Sequence, residues 1–274
     1  MKGLDSYQNG TKETWRGWQW NQIVKRLCGP KPLGPAATRE KLKDKLVVYL
    51  VGPNDVDRDV AVRKGFRSEN LIAVDIDRKR VSSTRAAGGL AVAGSLTHIA
   101  AAWPTNRPVD ALIADFCFGF DVEFMKFAHA ICMSPMLSPH AAVSVNLLRG
   151  RDAFNDTVRK KYFPDSNHED KRRNIKVAGM FANLAACFAT ADANPSSEDT
   201  DAAVDAMSPA MYSYKSGPQW FDSVVFTWIG CAGCRCSRLC DRYDDHAWPK
   251  RPTEMAKRQI SATMAIRTAR TRYN

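Results

Sequence analysis

The chain has 274 residues, 30.5 kDa, with 45% apolar and 25% charged residues, values that suit a packed core and exclude a disordered chain, a collagen and a coiled coil. No stretch reaches the roughly 18 uncharged apolar residues of a bilayer span, and the opening MKGLDSYQNGTKETW has no apolar signal core, so a soluble, cytoplasmic protein is expected. The formal charge of +11 sits at the two ends: residues 1–44 net +5, residues 250–274 net +6, and the middle is neutral.

In chain order, Trp15, Arg16, Trp18 and Trp20 precede Lys25 and Arg26. Such interleaving can stack on unpaired bases, but a helix burying its tryptophans is the commoner outcome. LVVYLVG (Leu46 to Gly52) predicts a strand that ends in the turn Gly52-Pro53-Asn54-Asp55, and a charged amphipathic helix follows to Phe66. LIAVDID (Leu71 to Asp77) is the second strand, RKRVSSTRAAGG its helix, and LAVAG the third strand before a short helix near Thr97 to Trp103. VDALIADFCF (Val109 to Phe118) is the fourth strand. Phe124, Phe127, Ala128 and Ile131 mark a helix, and HAAVSVNLL (His140 to Leu148) is the fifth strand.

Residues 149–173 are polar and charged, as in a loop. Ile175 to Ala191 has the apolar content of a helix, and residues 192–206, with five acids and no base, suit a solvated linker. Met211 to Gly230 predicts a β-hairpin around a Gly-Pro turn. Cys231, Cys234, Cys236 and Cys240 fall within ten residues. That spacing predicts a structural metal site, zinc first, with an iron–sulfur cluster as the alternative; three of the four with His246 or Cys28 would relieve the tight spacing. Glu254 to Arg272 predicts a basic amphipathic helix.

The βαβ series with a closing hairpin resembles the Rossmann-like fold of class I S-adenosylmethionine-dependent methyltransferases, whose seventh strand runs antiparallel beside the sixth. The expected fold class is therefore α/β, a doubly wound and mostly parallel sheet closed by an antiparallel hairpin. The expected organisation is a basic arm over 1–44, the methyltransferase-like domain over 45–230, and a Cys-rich segment with basic tail over 231–274.

The resemblance implies a ligand site at the carboxyl ends of the strands. It assigns the S-adenosylmethionine ribose to Asp75, its amino-acid end to the turn at Gly52 and Asn54, and its adenine side to Ser95. Asp77 reads as a helix N-cap, a role that Ser95 also fits. Where the family has several glycines after the first strand, this chain has Gly52 alone. In nucleic-acid amino-methyltransferases the fourth strand ends in a polar residue, two prolines and an aromatic. Here Asp115 takes the polar position, without the prolines, and Phe116, Phe118 and Phe120 offer stacking surfaces. Cys117 reads as a packed thiol. A ribose 2′-O methyltransferase would carry a Lys-Asp-Lys-Glu set, and the fifth strand shows Asn146 where a lysine is expected.

These residues predict methyl transfer to nucleic acid at an exocyclic base amine, with Asp115 and Phe118 as the acceptor pair. The alternative is an inactive methyltransferase-fold module that binds nucleic acid or protein.

Overall fold

Runs of β-branched and aliphatic residues between Gly, Pro and Asp punctuation become the sheet, and the charged stretches between them become helices. The structure is a computed structural model that describes residues 10–104, 106–116, 122–148, 205–229 and 254–273. The expected elements at 149–173, 175–191 and 192–204, and the cysteines from 231 to 240, lie outside the described residues.

The strands are β1 (Val47–Leu50), β2 (Leu71–Asp75), β3 (Leu90–Ala93), β4 (Val109–Asp115), β5 (Leu137–Leu148), β6 (Ala210–Ser216) and β7 (Gln219–Thr227). They form one sheet in the order β3-β2-β1-β4-β5-β7-β6. The pairs from β3 to β5 are parallel, and β7 is inserted antiparallel to both β5 and β6. The order reverses between β1 and β4. This is the mixed, methyltransferase-like α/β sheet expected from the sequence, with the hairpin at one edge.

Helices cover both faces, as parallel strands buried on both sides require. The helices are α1 (Gly10–Cys28), α2 (Pro35–Leu42), α3 (Val56–Lys64), α4 (Arg78–Ala86), α5 (Leu96–Ala101), α6 (Val122–Met133) and α7 (Glu254–Tyr273). On one face Val48, Val74, Val92 and Leu112 pack against α5, α6 and α7; on the other Val47, Tyr49, Ala73 and Ile113 pack against α1, α2, α3 and α4. Trp15 and Trp20 of α1 are fully buried, so the N-terminal tryptophans serve the core. The basic helix α7 is likewise docked, burying Ala256, Ile260 and Met264 while Lys257 and Arg258 face solvent.

α7 and α4 also close the edge strand β3. Gln259 Oε1 accepts from the Ala93 N–H at 2.8 Å, and Arg85 donates to the Ala91 carbonyl through Nε at 3.1 Å and Nη2 at 2.7 Å. Among the described residues no helix is long and apolar enough to cross a membrane.

Candidate functional site

The carboxyl ends of β1 to β4 open onto a cavity of about 500 Å³ at the point where strand order reverses. Gly52, Asp75, Arg80, Ser95, Asp115 and Glu123 are among its lining residues. Four residues expected from the sequence, Gly52, Asp75, Ser95 and Asp115, thus meet at one site. Asn54 is in the adjoining turn and does not line the cavity. Phe118 lies outside the described residues, as do the metal candidates Cys231, Cys234, Cys236 and Cys240. Among the described residues no three His, Cys, Asp or Glu side chains gather as a metal site.

The turn after β1 reaches left-handed backbone without using glycine. Gly52 has φ −85°, open to any residue, whereas Asn54 and Asp55 hold the left-handed φ values of 64° and 48°. Asn and Asp tolerate that region better than other side-chain-bearing residues, so two short polar side chains do the work of a second glycine. The Tyr49 hydroxyl donates to Asp55 Oδ1 at 2.7 Å, and Asp55 Oδ2 is buried without a hydrogen-bond partner among the described residues. Burial pushes the Asp55 carboxyl up to about 6, against the Tyr49 hydrogen bond and the Arg58 charge. Asp57, in the first turn of α3, is 6% exposed, and burial raises it against the Arg16 charge at 3.2 Å and the Trp20 indole N–H at 3.1 Å.

At the end of β2, Asp75 is 8% exposed. Its Oδ1 accepts the Asp77 N–H at 2.8 Å and its Oδ2 accepts Arg80 Nη1 at 3.1 Å. Asp77 is the N-cap of α4, accepting from the Lys79 N–H at 2.8 Å. Ser95 occupies the N-cap position of α5 but makes no side-chain cap bond, and the residue lines the cavity. Ile76, beside Asp75, is 77% exposed and presents an apolar surface at the cavity mouth.

At the opposite end, Asp115 is gripped from two sides. Asn146 Nδ2 of β5 donates to Asp115 Oδ1 at 2.6 Å and to the Tyr214 hydroxyl at 3.0 Å. Lys12 Nζ of α1 stands 3.4 Å from Asp115 Oδ2, both side chains being largely buried. The ammonium also lies 5.7 Å from the Trp15 ring centroid and 5.8 Å from that of Phe221, close enough for cation–π attraction. Trp15, Tyr214 and Phe221 stack in series at 4.8 and 5.1 Å. Phe116 packs edge-on to Phe124 and Phe127, which makes it cavity wall rather than a free stacking surface.

Lys12 is the participant the sequence reading missed. Its signal was present: Lys12, Trp15, Arg16, Gln19, Trp20 and Ile23 recur at helical spacing on one face of α1, and all are buried. A lysine inside such a stripe needs a carboxylate partner, and Asp115 supplies it.

No protein-family model matches the chain, and no curated protein matches it. Solved structures similar to it include precorrin-6y C5,15-methyltransferase from Geobacter metallireducens, at 10% identity over 82% of this chain and 91% of that chain, TM-score 0.38. An O-methyltransferase from Bacillus cereus in complex with SAH is 11% identical over 77% of this chain and 80% of that one, TM-score 0.37. TrmN from Thermus thermophilus is 12% identical over 76% of this chain and 53% of its own, TM-score 0.37. The fold class rests on the sheet order itself.

Proposed function

We propose that the chain is an S-adenosylmethionine-dependent methyltransferase acting on nucleic acid. The carrying observation is the cavity at the strand-order reversal with Asp75 at one end and, at the other, Asp115, which is held from behind by the buried Lys12 and Asn146. The residues present suit the cofactor. Asp75 offers carboxylate lone pairs to a ribose diol, Ile76 an apolar face to a purine, and Ser95 and Thr97 hydroxyls to its edge. Bound there, S-adenosylmethionine supplies an electrophilic methyl group.

The chain's own residues then act on the acceptor. An acceptor hydroxyl donating to Asp115 Oδ2 is oriented by that hydrogen bond, and its proton passes to the carboxylate as the new bond forms. Lys12 stabilises the negative charge that builds on the acceptor oxygen. Asn146 holds the other carboxylate oxygen and fixes its direction. This favours a ribose hydroxyl over the exocyclic amine expected from the sequence, because a nearby ammonium opposes the positive charge that develops on an attacking amine. The amine remains the second reading, carried by the lone-pair capacity left on Asp115 Oδ2. The basic ends, +5 and +6, support a polyanionic substrate.

The test is transfer from labelled S-adenosylmethionine to mixed RNA and DNA, followed by digestion to nucleosides to separate methyl on sugar from methyl on base. Asp75→Ala should lose cofactor binding in calorimetry. Lys12→Met should retain it and lose transfer by about two orders of magnitude, the scale of one charge-stabilising group. Label on the base would return the reading to the amine. Wild-type protein that neither binds the cofactor nor transfers a methyl group would leave a binding module.

A further inference from the structure

A second cavity, of about 440 Å³, lies at the β3 edge between α4 and α7, with Arg85, Leu90, Ala91, Arg258, Gln259 and Ile266 among its lining residues. Its upper end is level with the first cavity: Gln259 accepts the Ala93 N–H, and Ala93 is the register partner of Asp75. α4 joins the two cavities. Arg80 lines the first and Arg85, five residues on and about 7.5 Å along the helix, lines the second.

The charge of these two helices is one-sided. α4 carries Arg78, Lys79, Arg80 and Arg85 and no acid, although it lies in the stretch of chain that is neutral as a whole. α7 sets Lys257, Arg258, Arg267, Arg270 and Arg272 against Glu254 alone. Arg78 and Arg85 are seven residues apart, so they fall within about 20° of each other around α4 and about 10 Å apart along it. Arg78 thus extends the charged wall that Arg85 forms. These side chains have donors to offer. Arg78 and Arg258 are exposed, and neither guanidinium makes a hydrogen bond or ion pair among the described residues. Arg85 commits Nε and Nη2 to the Ala91 carbonyl, which leaves its Nη1. Ile266, 48% exposed, adds an apolar surface in the same groove.

We infer that this groove carries the backbone of a single-stranded nucleic acid whose acceptor nucleotide sits in the first cavity. β3 is three strands from β4, about 14 Å at the spacing of a sheet, so Arg78, Arg85 and Arg258 hold phosphates that flank the acceptor rather than its own. Guanidinium groups suit bidentate contact with phosphate, and Ile266 offers a ribose or base an apolar face. An unpaired strand enters both cavities without the cost of flipping a nucleotide out of a duplex. The track rests on the nucleic-acid substrate of the proposed function.

The experiment measures binding of a short oligouridine to the full chain by fluorescence anisotropy over a range of salt, beside methyl transfer to mixed RNA and DNA. Arg78→Gln with Arg258→Gln removes two exposed charges from the groove side; Arg39→Gln with Arg63→Gln removes two exposed charges that do not line it. The first pair should weaken binding about tenfold and flatten the slope of log K against log salt by about 1.4, at about 0.7 per lost contact. The second pair should leave both unchanged. Equal losses in the two pairs, or displacement of the RNA by polyglutamate at the same charge concentration, would show a general polyanion surface and overturn the track. If wild type and the first pair bind RNA equally, the track fails and the substrate reading stands. If the first pair loses RNA but wild type transfers no methyl group, the track stands and methyl transfer fails. Wild type that binds no RNA overturns both.

Discussion

Replacing Asp55 by Asn should make the protein more stable above pH 6 and remove part of its pH dependence. Burial holds the Asp55 carboxyl at about 6 in the folded chain, against 3.8 for a free aspartate side chain. The folded state therefore binds a proton that the unfolded state has already released, and stability falls as pH rises from about 4 to about 6. The gap between the two values sets a ceiling of about 3 kcal/mol at about 1.4 kcal/mol per decade. The carboxyl is partly open to solvent, and screening cuts this to about 1–2 kcal/mol. Asn tolerates the φ of 48°, its carbonyl can accept the Tyr49 hydroxyl, and its amide replaces a carboxylate oxygen that has no partner among the described residues. Urea unfolding at several pH values between 4 and 8 gives the assay. The wild-type-minus-variant difference should be near zero at pH 4 and reach about 1–2 kcal/mol in favour of the variant above pH 6. Parallel curves for the two proteins would refute a carboxyl raised by burial at Asp55.

Two further outcomes follow from buried polar groups. Arg16→Met leaves Asp57 buried without its cation and should cost about 3–5 kcal/mol in urea unfolding at pH 7, the deficit narrowing as the pH is lowered and Asp57 takes up a proton. Gln259→Ala removes the acceptor for the Ala93 N–H and should cost about 1–3 kcal/mol, with amide hydrogen exchange accelerated at Ala93 more than at Val74 in the neighbouring strand.

The order of strands and helices was legible because apolar runs of four to seven residues alternate with charged stretches, and a right-handed crossover leaves few ways to assemble them. The hairpin turn at Gly217-Pro218 placed the antiparallel strands correctly. Asp75 and Asp115 were legible as acids terminating apolar runs. Lys12 was not, because its partner is joined to it only through the packing of α1 on the far end of the sheet. Gly52 drew attention as a glycine, yet the left-handed positions fell on Asn54 and Asp55, where the need for positive φ is met by side chains that a glycine count overlooks. Ser95 fitted an N-cap by sequence, but the missing cap bond depends on rotamer and surroundings, which residue type does not specify.

The side chains laid across β3 bear on how the protein behaves at high concentration. An open sheet ends in strands whose outward backbone groups can recruit another chain, the first step toward edge-to-edge polymers. Arg85 occupies the outward Ala91 carbonyl, Gln259 occupies the Ala93 N–H, and α7 lies alongside, so an incoming strand would find its first ladder bonds already taken. At the opposite edge, β6 carries the exposed charge of Lys215 along its length, and a second copy docking there would have to desolvate it. The C-terminal helix thereby guards the sheet against self-templating, a duty separate from any contact its arginines make with phosphate.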